Sequence, residues 1–514
     1  MSTPHCSFVS AKHQALLISG VYGRQYTKLI FGEAVKNSSP SIYLKKRSWI
    51  MAHKKQKKSK IYAPLRDVGF GTAFTKGNGI TKLSALIFGL GNLLHKQIIR
   101  GLIMLAFELA YIYYMVTFGL NSIRDFITLG TRVQEEVFNE TKQVYEYVTG
   151  DNSMLCLLYG VVTIFLTLGF ILFLVTSVKS AYITQKKVEA GKPVPKFKDD
   201  LSSLLEQNLH KTLLFIPVTG ILCFTIVPIV FMILIAFTNY DRNHQTPGNL
   251  FDWVGFDNFI SMFSGNGVLA NTFWPVLGWT IVWAIFATFT CYILGMLLAI
   301  VINREGTRFK GFWRFLFVLS VAVPQFVSLL TMRTIFNTNG AVNAILRDVG
   351  IIGASQSVPF FTDPTIAKIT IICINIWIGV PFTMLTTTGI LQNIPKDLYE
   401  AAKVDGANAF VTYFKITMPY MLFVTTPTLI TSFVGNINNF NVIFLLSGGG
   451  PESLEYYYAG KTDLLVTWLY KLTMTNKDYN LGAVIGIIVF IILATLSLLT
   501  YRKTGSYKDE ETFQ

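Results

Sequence analysis

Acidic residues are scarce in this 514-residue chain: 29 Asp and Glu stand against 44 Lys and Arg, a formal net charge of +15. Charge of either sign is thin, at 14% of positions, while 52% are hydrophobic and the mean hydropathy is +0.47. Soluble domains carry about 25% charged residues, so lipid rather than water is the main solvent expected here. The five cysteines make no disulfide framework, since Cys223, Cys291 and Cys373 fall inside apolar runs, Cys156 begins one and Cys6 is near the N-terminus. The six histidines are scattered without ligand spacing, which leaves no basis for a metal site. No nucleophile–base pair stands out within the apolar runs, and ALLISG at 15–20 is too short for the apolar stretch of a secretory signal.

What the chain has in abundance is long apolar segments. A helix needs about 20 apolar residues to cross hydrocarbon, and eight segments qualify: 99–120, 154–178, 212–238, 274–302, 314–334, 367–390, 420–446 and 481–501. The expected fold class is therefore all-α polytopic membrane protein with eight transmembrane helices. Residues 1–98 hold sixteen Lys and Arg against Glu33 and Asp67, and the 179–211 loop holds seven lysines. By contrast, 121–153 carries three basic and six acidic residues, and 239–271 only Arg242 as a base. Positive charge stays on the cytoplasmic side, so both termini and the 399–419 stretch are expected there. The basic N-terminal stretch fits topology and attraction to anionic membrane lipid, and no nucleic-acid partner is expected. MAHKKQKKSK at 51–60 reads as a natural start, making Met51 the expected initiator and 1–50 an extension.

The chain divides into a basic tail (1–98), two spans with a linker (99–211), a six-span core (212–501) and a C-terminal tail (502–514). LSALIFGLGNLL at 83–94 is too short to span and reads as an amphipathic interfacial helix. The acidic stretch 131–148 reads as helix. Pro324 is expected to interrupt the fifth span and Gly379-Val380-Pro381 to break the sixth; Pro427 lies in the seventh, and Asn436, Asn438 and Asn439 near its end. Broken helices and amides at membrane depth face protein or a water-filled cavity, and three asparagines within four residues favour a lined cavity over helix glue. LSGGG (446–450) and GKT (460–462) imitate nucleotide-binding motifs. A phosphate loop needs glycine five residues before its Gly-Lys, and Glu455 stands there. No ATPase site is expected in this chain, and no cofactor.

Between spans six and seven lies YEAAKVDGANAFVTYFKITMP (399–419), polar and too hydrophilic to cross a bilayer. Glu400, Ala401, Ala402, Asp405, Gly406, Ala407 and Pro419 stand at the spacing of the cytoplasmic EAA loop, and this stretch resembles that of ABC importer permeases. NIWIGVPF (375–382), NINNF (436–440) and GGGPE (448–452) resemble the carbohydrate branch, in particular the larger membrane subunit of maltose/maltodextrin importers (MalF-type), over about 212–501. The resemblance implies a six-helix type I permease core. It also implies import of maltodextrin-like oligosaccharides across the plasma membrane, driven by a separate ATPase dimer that binds ATP and Mg. A second permease subunit and an extracellular sugar-binding protein complete the implied assembly. The best-known members carry a large domain between spans three and four; here that loop is only about 35 residues, so docking of the binding protein is expected to involve the 121–153 loop as well.

Helix is expected over 395–404, starting at Pro395, with a turn at Gly406 and a second short helix over 407–416. Small Ala401 and Ala402 would let the projection seat in the ATPase, with Glu400 making a polar contact; the alternative for Glu400 is a local pair with Lys396 or Lys403. The resemblance assigns sugar contact to Asn436, Asn439, Trp377, Ile378 and Gly379. Phe382, Val321 and Gln325 stand where relatives have tyrosine, tyrosine and serine. Two other readings stay open: an importer of another small polar solute, and an ion-coupled secondary transporter, which would need acids within the core spans.

Overall fold

The computed structural model describes residues 68–206, 208–264, 267–304 and 306–502. The expected start at Met51, residues 1–67 of the basic tail and 503–514 of the C-terminal tail lie outside these residues. Among the described residues, seven helices are long and apolar enough to cross a membrane: Ile98–Thr128, Ser153–Glu189, Leu209–Ile235, Val268–Asn303, Pro364–Leu391, Ala409–Ile437 and Tyr479–Arg502. The eighth span is a broken pair, Lys310–Ala322 and Gln325–Ile335, bent by 88°. The bend falls where sequence places it, at Pro324, whose fixed φ and absent N–H stop one helix and start the next.

Contacts divide the chain into two compact units. One holds the described residues up to Ile112 and those from Leu168 to Glu206; the other holds Tyr113–Thr167 and the rest of the chain from Asn208. In the first unit, 83–94 is not a single interfacial helix. Helix survives only over Gly79–Leu83 and Leu90–Leu94, because Gly89 sits in the left-handed region at φ 76°. Phe88 is buried and stacks on Phe170 with ring centres 4.9 Å apart, and its N–H donates to Glu108 at 2.7 Å. Asn92 is buried and donates to Gln97 (2.6 Å) and Ser180 (2.8 Å). Buried polar groups need such partners, and they pull the segment onto the 153–189 helix.

The second unit holds the core. Its acidic stretch 131–148 is a hairpin, not a helix: Glu135–Asn139 pairs antiparallel with Val144–Val148. Alternating VFN and VYEYV side chains, rich in valine and aromatics, suit strands better than the charge content suits helix. The 268–303 and 364–391 helices pack along their length, and the 310–322 and 409–437 helices flank them. Contrary to expectation, Gly379-Val380-Pro381 does not break the sixth span, which runs unbroken from Pro364 to Leu391 with Pro381 inside. One missing N–H does not outweigh a backbone whose other polar groups must be satisfied within the helix in lipid.

The two imitation nucleotide motifs fold against each other. Thr462 N–H donates to the Gly449 carbonyl (3.2 Å) and Lys461 N–H to that of Pro451 (2.8 Å). Between them Asp463 is fully buried, accepting from Gly460 N–H (2.7 Å) and from Lys471 Nζ (2.6 Å). Burial pushes the Asp463 carboxyl above the usual range, while Lys471 and the Gly460 N–H pull it back. Lys471→Met would strand that carboxylate and is expected to destabilise the protein by about 3 kcal/mol or more. Asp463→Asn, which keeps an acceptor for Gly460, should cost clearly less. Thermal unfolding in detergent measures both; equal losses would contradict this arrangement.

Candidate functional site

A cavity of about 520 Å³ lies among the 268–303, 364–391 and 409–437 helices and the bent pair. Helical periodicity builds each wall. Ala287, Thr288, Cys291 and Tyr292 share one face of the first helix; Asn375, Ile378, Gly379, Phe382, Thr383, Thr386, Thr387 and Ile390 form a stripe on the second. Thr425, Leu429, Ser432 and Asn436 line the third, and the bend contributes Val321, Pro324, Gln325 and Ser328. All eight positions assigned to sugar contact from sequence, Trp377, Ile378, Gly379, Phe382, Asn436, Asn439, Val321 and Gln325, line this one space. No charged side chain lines it among the described residues.

Three local features shape the walls. A Cβ on Gly379 would lie 2.7 Å from Cys291 Sγ, so only glycine allows the helices to meet this closely. Trp377 and Phe382 remain 53% and 59% exposed, which leaves part of each side chain free for contact. Asn436 Nδ2 donates to Thr288 Oγ1 at 2.9 Å, and Asn439 Nδ2 to Asn436 Oδ1 at 3.4 Å. Asn439 Oδ1 also caps Phe440–Leu446 by accepting from Val442 N–H at 3.2 Å. The two asparagines thus join helices and line the cavity together, whereas Asn438 faces a separate groove beside Val434 and Phe490.

Apolar clusters lie at both ends. Trp279, Trp283, Ile371, Ile374 and Val442 pack beyond the asparagines. At the other end Tyr292, Met296, Ile394 and Met421 are joined by Ile390, Leu429, Tyr399 and Tyr413. The last two belong to the polar segment between spans six and seven. Tyr399 lies on Lys396–Val404, a helix capped by Pro395. Gly406 takes φ 74°; its N–H donates to the Lys403 carbonyl (3.2 Å) and Ala407 N–H to that of Ala402 (2.9 Å). This is a Schellman closure, and it needs a left-handed residue that glycine supplies without penalty.

Beyond the turn, Asn408 accepts from Val411 N–H at 2.9 Å and starts a helix that does not stop at 416. It runs through a π turn, Tyr413–Thr417, into the seventh span, with Pro419 in the first turn of Met418–Ile437. The expected separate helix over 407–416 is therefore the start of the span. The π turn shifts the hydrogen-bond register just ahead of that proline. Glu400, Ala401, Asp405 and Gly406 are exposed, Ala402 is buried and Ala407 half-buried. Neither Lys396 nor Lys403 forms an ion pair with Glu400 among the described residues. Sequence reading missed the apolar side chains around the turn: Val404 is 88% exposed and Phe410 71%, with Leu398 and Phe414 beside them. Large apolar side chains in an otherwise polar stretch were the available signal.

The family model for "Binding-protein-dependent transport system inner membrane component" matches residues 291–503, which takes in the cavity helices and the turn. The maltodextrin transport system permease protein MalC of Streptococcus pneumoniae (strain TIGR4) is 34% identical over 436 residues, 84% of this chain and 96% of that one. The chain belongs to this family. The permease is also similar to the galactooligosaccharides transport system permease protein GanP of Bacillus subtilis, at 35% over 437 residues, covering 84% of this chain and 99% of that protein. With MalF of Escherichia coli K12 it shares 36% over 256 residues, 49% of each chain. It is a multi-pass membrane permease of a binding-protein-dependent transport system, with a carbohydrate-type resemblance to MalF.

Gly379→Val is expected to force the two central helices of the permease apart, lowering stability by roughly 1–3 kcal/mol. Cys291→Ala in the same chain should recover part of that loss. A double-mutant cycle of melting temperatures checks this; strictly additive losses would show that the sulfur is not the obstacle.

Proposed function

We propose that this permease carries neutral oligosaccharides of the maltodextrin class into the cell, powered by a separate ATPase that docks on the 396–408 turn. The observation that carries the reading is the cavity. It offers amides at Asn436, Asn439 and Gln325, partly exposed aromatic side chains at Trp377 and Phe382, and no charged lining side chain among the described residues. Sugars present hydroxyls and apolar ring faces, which such a lining matches. An anionic solute would want basic residues and a driving cation would want acids at that depth. Relatives named for maltodextrins and for galactooligosaccharides stand at 34% and 35% identity, both neutral sugar chains, so maltodextrins are the first substrates to test.

In this reading both termini and the turn face the cytoplasm, following the positive charge. ATP and Mg sit in the partner ATPase dimer, and this chain supplies no catalytic group. The exposed surface formed by Glu400, Ala401, Asp405 and Gly406 with Leu398, Val404 and Phe410 seats in the ATPase cleft. Motion there reaches the cavity through Tyr399 and Tyr413, which pack with Met296 and Tyr292 at its floor. A second permease subunit covers the remaining open sides of the core, and an extracellular binding protein delivers the sugar. The permease core comprises 212–501.

Gly406→Trp places a bulky residue at φ 74° in otherwise open space, so it deforms the turn without disturbing the spans. The inserted variant should lose its co-purifying ATPase and its transport; an intact complex with normal uptake would defeat the coupling role. Asn436→Ala and Asn439→Ala should each cut maltodextrin uptake by about tenfold, the worth of one hydrogen bond. Wild-type rates in both would leave the asparagines as helix glue.

A further inference from the structure

The two asparagines assigned to sugar contact, Asn436 and Asn439, occupy only one end of the cavity. Beyond Gly379 the space continues along the 364–391 helix to Ile390, about 16 Å at the rise of an α-helix. This second half is lined by hydroxyls: Ser320, Thr383, Thr386, Thr387, Thr425 and Thr428.

Most of these hydroxyl protons are already committed. Thr383 donates to the Gly379 carbonyl (3.0 Å), Thr386 and Thr387 to that of Thr383 (3.0 and 2.7 Å), and Ser320 to that of Phe317 (2.7 Å). Thr425 Oγ1 donates to the Met421 carbonyl at 2.6 Å, which makes Tyr292 the donor in their 2.7 Å contact. What these oxygens still offer is lone pairs. Back-bonding alone says little, because threonines on outer faces do it too: Thr431 is exposed and donates to the Pro427 carbonyl at 3.0 Å. The difference is convergence. Three helices, 310–322, 364–391 and 409–437, bring these hydroxyl side chains around one cavity, and an apolar cluster around Met296 and Met421 lies beneath it.

We infer that the Ile390 end is a second sugar subsite, an acceptor-rich chamber for the hydroxyl donors of a longer neutral oligosaccharide whose other end lies among the asparagines. This rests on the oligosaccharide reading of the first half. The substrate class it names is linear chains longer than those that fill the asparagine end alone, lying along the 364–391 helix.

The test uses the assembled transporter with its partner subunits in membrane vesicles. Uptake of maltose and of maltopentaose is measured for the wild type, Thr386→Val, Thr428→Val, Thr386→Ser and the outward control Thr431→Val, at matched membrane levels. Each valine removes an oxygen while keeping the shape. The pentaose-to-maltose uptake ratio should fall roughly fivefold or more in either valine variant, the scale of one lost hydrogen bond. It should hold in Thr386→Ser and in Thr431→Val. An unchanged ratio in both valine variants overturns the second subsite, as does an equal loss at both chain lengths, and either leaves the oligosaccharide reading standing. A wild type that carries neither sugar overturns both. Should one valine variant fail to insert, the other decides alone.

Discussion

Two helices in lipid gain nothing by hiding apolar side chains from water, so close backbone approach must hold them. The 268–303 and 364–391 helices meet this constraint with small residues. A Cβ on Gly295 would lie 2.6 Å from the Thr383 Cβ, and one on Gly379 would lie 2.7 Å from Cys291 Sγ. Buried Ala287, clustered with Ile371 and Ile374, and Ala299, clustered with Met384, extend the same contact. The other walls of the cavity are placed against this pair. The 310–322 helix lies on one member, the 409–437 helix on the other, and the cavity is the space they cannot fill. The 88° bend at Pro324 enlarges that space by turning the second half of a span away.

The same pair links the cavity to the polar turn. Met296, one turn beyond Tyr292 on the first helix, is fully buried with Met421 and Ile394 and touches the residues that carry Tyr399 and Tyr413. Tyr399 hydroxyl bonds Thr417 Oγ1 at 3.0 Å, tying the 396–404 helix to the foot of the seventh span. A displacement of the turn therefore acts on two helices of the cavity wall, through a packed cluster that resists small adjustment.

Much of this was legible in the amino-acid sequence for a definite reason. Membrane spans are written in continuous apolar runs, and the fifth span's break is written in Pro324. Gly406 announced a left-handed position because few other residues tolerate one. The cavity positions came from resemblance to a family rather than from periodicity, and the structure places all eight around one space. What failed shares a cause: local composition was given more weight than context. The charge of 131–148 suggested helix, but its paired valines and aromatics make a hairpin. Pro381 suggested a break, but lipid penalises an open backbone more than one missing donor. Residues 83–94 looked like a surface helix because the partners of Phe88 and Asn92 lie on the 98–114 and 153–189 helices, far along the chain. The hydroxyl stripe from Thr383 to Thr387 was invisible as a site, since threonine in a membrane helix bonds its own carbonyl and reads as filler.

The hydrogen-bond inventory of the cavity is uneven along its length. Asn436 and Asn439 each use one amide N–H within the fold, so each keeps another. Toward Ile390 the hydroxyls of Thr383, Thr386, Thr387 and Thr425 have given their protons to their own helices and retain only acceptor capacity. Donors therefore gather at one end and acceptors at the other. An anion would gain at the first end and be opposed at the second, and a cation the reverse. A chain of hydroxyl groups, each both donor and acceptor, is matched along the whole length. Selection against charge thus needs no charged residue in the wall.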